Sequence, residues 1–111
     1  MKKIVKYNKL IRDKIPGIIR KAGWIPTIRV LKTSEFLGAI KKKVSEEARE
    51  LIRAKDKEGI IDEIVDIQEL LDVLSLEIKL TKTEMNKFQK AKREKRGGFK
   101  KRLFLIEEKK E

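Results

Sequence analysis

Two apolar stripes of helical period, separated by a short polar turn, dominate the middle of the chain, VSEEARELIRAKDKEGIIDEIVDIQELLDV from Val44 to Val73. The first stripe begins upstream and runs Phe36, Leu37, Ile40, Val44, Ala48 and Leu51. The second runs Ile60, Ile64, Ile67, Leu71, Leu74 and Ile78. Spacings of three and four bury one face of an α-helix. The turn Lys55-Asp56-Lys57-Glu58-Gly59 is short enough to make the two helices antiparallel neighbours. This hairpin predicts one helix capped by Thr33 or Ser34 and ending near Ala54, and a second from Gly59 to about Leu80. The second also carries Ile61, Val65, Leu70, Val73 and Leu76 off its main stripe. A helix apolar on most sides is buried on most sides, which in a small chain predicts a homodimer or larger assembly.

The remaining segments are shorter. Asp13 and Pro16 open a helix that stops near Gly23, because Pro tolerates the first turn and Asp accepts from free backbone N–H groups. Thr81-Lys82-Thr83-Glu84 is a capping box opening a last helix, on which Met85 and Phe88 are expected to face inward and Lys92 and Arg96 continue the same face. Gly97-Gly98 ends it. Residues 26–31 and 102–106 read as short strands and are candidates to pair as a two-stranded ribbon. The expected class is mainly α, in a single domain over residues 1–111.

Within the hairpin, carboxylates recur three residues apart, Glu47 with Glu50 and Glu63 with Asp66. At about 100° per residue, Glu47 and Glu50 lie roughly 60° and 120° from their helix's stripe. Glu63 and Asp66 show similar offsets in the same rotational sense. Packed stripe to stripe, the two pairs fall on one side of the interface. They are also equally far from the turn, so all four are expected at one level. Crowded carboxylates repel one another and require a cation. Lys or Arg would serve, as would Mg²⁺ or Mn²⁺, which take oxygen ligands. Glu46, Asp62 and Glu69 point away and are expected to be solvated or ion-paired.

Composition narrows the chemistry. The chain has no Cys and no His, which removes disulfides, thiolate nucleophiles and the commonest general base. Carboxylates, Lys, Arg and hydroxyls remain, a set suited to hard cations. The net charge of +12 is unevenly placed: residues 1–32 carry +9, residues 33–80 carry −4 and residues 81–111 carry +7. An acidic centre between basic ends suits a metal–polyphosphate ligand. With no signal-peptide pattern and no apolar run of bilayer length, the expected location is cytoplasmic.

These residues resemble a known family. Glu46-Glu47-Ala48-Arg49-Glu50, then twelve residues, then Glu63-Ile64-Val65-Asp66 is similar to the EExxE…ExxD signature of the MazG-like all-α nucleotide pyrophosphohydrolases. Tyr7-Asn8-Lys9-Leu10-Ile11-Arg12-Asp13-Lys14-Ile15-Pro16 and Lys92-Arg93-Glu94-Lys95-Arg96-Gly97-Gly98-Phe99 resemble the flanking motifs of a small branch. That branch is described as phosphoribosyl-ATP pyrophosphohydrolase-like, or as house-cleaning NTP pyrophosphatase. Gly17 stands where it often has Glu. The resemblance implies an all-α antiparallel bundle that dimerises, binds Mg²⁺ and cleaves a nucleoside triphosphate between its α and β phosphates. It implies Glu47, Glu50, Glu63 and Asp66 as metal ligands.

With no His, Glu47 or Glu50 is the expected proton acceptor. Lys9, Arg12, Lys14, Lys92 and Arg96 are candidate phosphate ligands, with Gly97 and Gly98 as an anion nest. Asn8 and Tyr7 are candidates to contact the base. Trp24 is expected to anchor the first strand. Two other functions fit the same residues. A basic dimer gripping nucleic-acid phosphates would leave the acidic hairpin as an interface only, and a phosphoribosyl-ATP pyrophosphohydrolase would keep the chemistry and change the substrate.

Overall fold

The computed structural model describes residues 3–111, which contain four helices and no strand. They are α1 (Ile15–Lys21), α2 (Thr33–Arg53), α3 (Lys57–Glu77) and α4 (Lys82–Arg96). The chain divides into two compact units, Met1–Ile78 and Lys79–Glu111. No helix among the described residues is long and apolar enough to cross a membrane.

The first unit is built on α2 packed against α3. Every member of the predicted α2 stripe is buried or half-buried, and Ile40, with no exposed surface, is its centre. The turn is tighter than expected. Asp56 caps α3 by accepting from the Gly59 N–H at 2.7 Å, so the helix starts at Lys57, inside the segment read as turn. A Cβ at Gly59 would lie 2.9 Å from Asp56 Oδ1, so a side chain there would make the capping carboxylate shift.

The buried side of α3 keeps Ile67 and Leu74 of its predicted stripe and departs from the rest. Glu63, Asp66, Ile67, Leu70, Val73 and Leu74 are half-buried, whereas Ile60, Ile64, Leu71 and Ile78 are exposed. The helix is turned so that two of its carboxylates lie on the α2 side. An all-round apolar helix does not fix its own rotation from hydrophobicity alone. Its uncovered side carries Ile61, Ile64 and Val65, each about half exposed.

Two caps also differ from expectation. Lys14, not Asp13, precedes α1 and makes no side-chain cap, because an ammonium has no acceptor; the Ile15 N–H donates to the Arg12 carbonyl at 3.1 Å. Lys32 precedes α2 in place of Thr33 or Ser34. There Glu35 Oε1 accepts from the Lys32 N–H at 3.2 Å, and Arg29 holds Glu35 from the other side at 2.7 Å.

The predicted ribbon is absent. Residues 26–31 and 102–106 have no ladder, and Ile28, Val30, Leu103, Phe104, Leu105 and Ile106 are exposed. Alternating β-branched residues indicate a strand only where a pleated, half-buried surface exists to receive them. Arg102 has φ +58°, outside the strand region. Trp24, expected to anchor the first strand, is 47% exposed.

In the second unit, α4 opens with the predicted capping box. Thr81 Oγ1 accepts from the Glu84 N–H at 3.1 Å, and Glu84 Oε1 accepts from the Thr81 N–H at 3.0 Å. Gly97, at φ +84°, ends the helix in a conformation other residues rarely adopt. Met85 and Phe88 are exposed, contrary to the expectation that they face inward. Two apolar side chains among the many charged ones of α4 make too narrow a stripe to demand burial.

Candidate metal centre

Helix α2 presents Glu47, and α3 presents Glu63 and Asp66 one turn apart. One oxygen from each lies within 4.8 Å of the others, and all three residues are half-buried. The expected convergence is therefore present for three of the four carboxylates. Glu50 lies outside the group. Its Oε1 accepts from Arg53 at 2.8 Å, and its side chain is 49% exposed. An Arg one turn along the same helix is a better neighbour than three like charges.

Positive charges surround the group. Arg12 Nη2 donates to Asp66 Oδ1 at 2.7 Å. Lys43 Nζ lies 3.0 Å from Glu46 Oε2 and 3.7 Å from Glu47 Oε1, with only 17% of its side chain exposed. Glu46 is thus ion-paired, as predicted, and Lys9 Nζ adds a longer contact to it at 4.0 Å. Asp62 and Glu69 are exposed. Sequence reasoning overlooked Lys43, although its i,i+3 and i,i+4 relation to Glu46 and Glu47 is a recognised helical signal.

Glu63 carries the strongest strain of the arrangement. Its carboxyl pKa is raised from 4.5 to about 7. A hydrogen bond shared with Glu47 is the largest cause, followed by desolvation and the negative charges of Glu47, Asp66 and Asp62. Glu63 Oε2 is shut off from solvent and has no hydrogen-bond partner. A buried, orphaned oxygen on a carboxylate that is grouped with two others makes Glu63 a fitting ligand for a divalent cation. Oxygens on opposite sides of Mg²⁺ are about 4.2 Å apart, twice a bond of ~2.1 Å. The three oxygens lie within 4.8 Å of one another, a separation of that order. It also admits the longer bonds of Ca²⁺.

The raised pKa has a signed consequence. Without divalent ions, protonated Glu63 contributes stability that is fully present below pH about 4.5 and lost as pH rises through about 7. The shifted carboxylates Glu35, Glu46 and Glu84 are all lowered, so their contributions are lost only at more acid pH. In EDTA, the melting temperature is expected to fall between pH 5 and pH 8, and Glu63→Gln to flatten that fall. Parallel profiles for the two proteins would refute this.

The other sequence candidates are distributed as follows. Asn8 adopts φ +48°, a left-handed conformation that Asn tolerates. Tyr7 is exposed, with Lys9 Nζ 5.3 Å from its ring centroid. Lys14 caps α1 with its backbone. In the second unit, Lys92 and Arg96 lie one turn apart on α4 and are exposed. The Gly97 N–H donates to the Arg93 carbonyl at 2.8 Å, so it is committed to ending the helix, and an anion nest would need it released.

No protein-family model matches the chain, and no solved structure matches it. A stretch of 54 residues, 49% of the chain, is 37% identical to an uncharacterized protein of Mycolicibacterium smegmatis. The match covers 55% of that protein's length.

Proposed function

We propose that the chain is a Mg²⁺-dependent nucleoside triphosphate pyrophosphohydrolase of the MazG-like kind, giving a nucleoside monophosphate and pyrophosphate, with noncanonical nucleotides as substrates. The observation that carries the reading is the meeting of Glu47, Glu63 and Asp66. These are three of the four positions that the family signature assigns to metal, and here they come from two helices. Glu47, Glu63 and Asp66 would hold the cation, with Glu50 joining by rotation away from Arg53. Bound Mg²⁺ supplies charge neutralisation at the phosphates and a more acidic water.

The protein's own residues do the rest. Glu47 or Glu50, whichever is not fully engaged with the cation, would accept the proton of the attacking water. Arg12, Lys9 and Lys14 are the proposed N-terminal phosphate ligands, and Lys92, Arg96, Gly97 and Gly98 the C-terminal ones. Tyr7 and Asn8 are proposed to contact the base. A screen for pyrophosphate release over canonical, damaged and phosphoribosylated nucleotides, with and without Mg²⁺ or Mn²⁺, tests the reading. Turnover of phosphoribosyl-ATP alone would select the biosynthetic alternative. No turnover, with salt-dependent DNA or RNA binding, would replace the reading by the nucleic-acid one.

We also infer a homo-oligomer, dimeric or larger. Ile61, Ile64 and Val65 of α3 form an uncovered apolar side, each about half exposed, and a helix apolar on most sides is buried on most sides. Sedimentation equilibrium is expected to return at least twice the chain mass at micromolar concentration; a monomer there would count against the assembly.

A further inference from the structure

The segment from residue 3 to residue 14 contains no helix or strand, yet it is tied to the acidic group. The tie is Arg12, whose guanidinium reaches Asp66 across 54 positions of sequence. Arg12 is exposed on its other side, with 55% of its side chain open to solvent, while Asp66 is half-buried. A guanidinium keeps its charge in proteins, so it cannot respond to an incoming cation by losing a proton. It must share the carboxylate with that cation or leave it. Sharing sets a single charge beside a double one on the same small carboxylate. Leaving costs little, because water is already at hand for the departing group.

We propose that Arg12 is a placeholder cation: it occupies Asp66 in the metal-free protein and is displaced when a divalent ion binds. This rests on the reading of Glu47, Glu63 and Asp66 as a divalent-cation site. Displacement frees the Nη2 donor that Asp66 holds, leaving the whole guanidinium open on a segment that also carries Tyr7, Asn8 and Lys9. With Asp66 taken by the cation, the guanidinium has no competing carboxylate and turns its full charge to an anionic ligand, which favours the order cation first and phosphates second. Lys43 plays a different part. It is largely covered, pairs with Glu46 as well as Glu47, and stays with Glu46 when Glu47 turns to the ion.

The contrary arrangement is an Arg12 that stays on Asp66 and orients it as an outer-sphere partner. The two predict opposite signs. Loss of an orienting partner weakens metal binding by about 10- to 100-fold. Loss of a competing exposed ion pair strengthens it by about two- to fivefold. The experiment is Mn²⁺ titration without nucleotide, followed by electron paramagnetic resonance, on the wild type, Arg12→Ala and Arg29→Ala. Arg29 pairs with Glu35 and controls for the loss of one positive charge. Arg12→Ala is expected to bind Mn²⁺ two- to fivefold more tightly, with Arg29→Ala unchanged. Hydrogen exchange at residues 7–12 of the wild type is expected to quicken on saturation with Mn²⁺.

Weaker or unchanged binding in Arg12→Ala, an equal gain in Arg29→Ala, or unaltered exchange would overturn the placeholder while leaving the metal site standing. No Mn²⁺ binding by the wild type at millimolar concentration would overturn both.

Discussion

Asp66→Asn and Glu63→Gln are each expected to reduce Mg²⁺-dependent pyrophosphate release by at least ~10³-fold, with the helical circular-dichroism signal unchanged. The magnitude follows from the work asked of the cation. Polarising a phosphoryl group and activating water contribute several kcal/mol, and about 4 kcal/mol corresponds to ~10³ in rate. Replacing a carboxylate by its amide keeps shape and volume and removes the charge that holds a hard cation.

The fold should survive both changes, for different reasons. Asp66→Asn loses the ion pair with Arg12, an exposed-side contact of the kind worth about 0–1 kcal/mol. Glu63→Gln fixes in place a neutral group resembling the protonated carboxyl that the metal-free protein favours below pH about 7. At pH 8 without metal it should be at least as stable as the wild type. An inactive Glu63→Gln with a raised melting temperature would separate loss of chemistry from loss of structure. Undiminished release in both variants would remove the metal assignment, and with it the placeholder role of Arg12.

How much of this was legible in the sequence differs from helix to helix. The α2 stripe is confined to one side, so periodicity placed its buried face correctly from Phe36 to Leu51. Helix α3 has apolar residues nearly all round, and its rotation depends on packing that no local pattern records. That is why Leu70 and Val73 are half-buried while Ile60, Ile64, Leu71 and Ile78, expected on the buried face, are exposed. The convergence of Glu47, Glu63 and Asp66 was accessible because helical offsets and distances from the turn are fixed by backbone geometry. The outward turn of Glu50 was not, since it depends on rotamer competition between Arg53 and the other carboxylates. Neither was the Arg12–Asp66 contact, which joins an irregular segment to a helix far along the chain. The strands misled because alternation in residues 26–31 signals a surface only when a partner is present.

The second large effect concerns the core itself. Ile40→Ala is expected to destabilise the protein by about 2–5 kcal/mol, the range for truncating a buried aliphatic side chain. Ile40, on α2, is the one fully buried residue among the described residues, and its surroundings are only half-buried. Small domains have total stabilities of about 5–15 kcal/mol, so one such cavity removes a large fraction. Partly exposed neighbours can relax into the space, which places the expectation toward the lower half of the range. The denaturant midpoint should fall at constant slope, because the surface exposed on unfolding barely changes.

Seven residues, about two helical turns, separate Ile40 from Glu47. Below its lowered midpoint the variant should therefore keep its affinity for Mn²⁺, the reverse of Asp66→Asn, which should keep its stability and lose the ion. A loss under about 0.5 kcal/mol, the size typical of surface substitutions, would mean that the α2–α3 contact of one chain is not what holds the fold. The stabilising burial would then lie between copies, along the uncovered Ile61, Ile64 and Val65 of α3. In that case the midpoint should rise with protein concentration, as mass action requires of a chain whose core is completed by its partner.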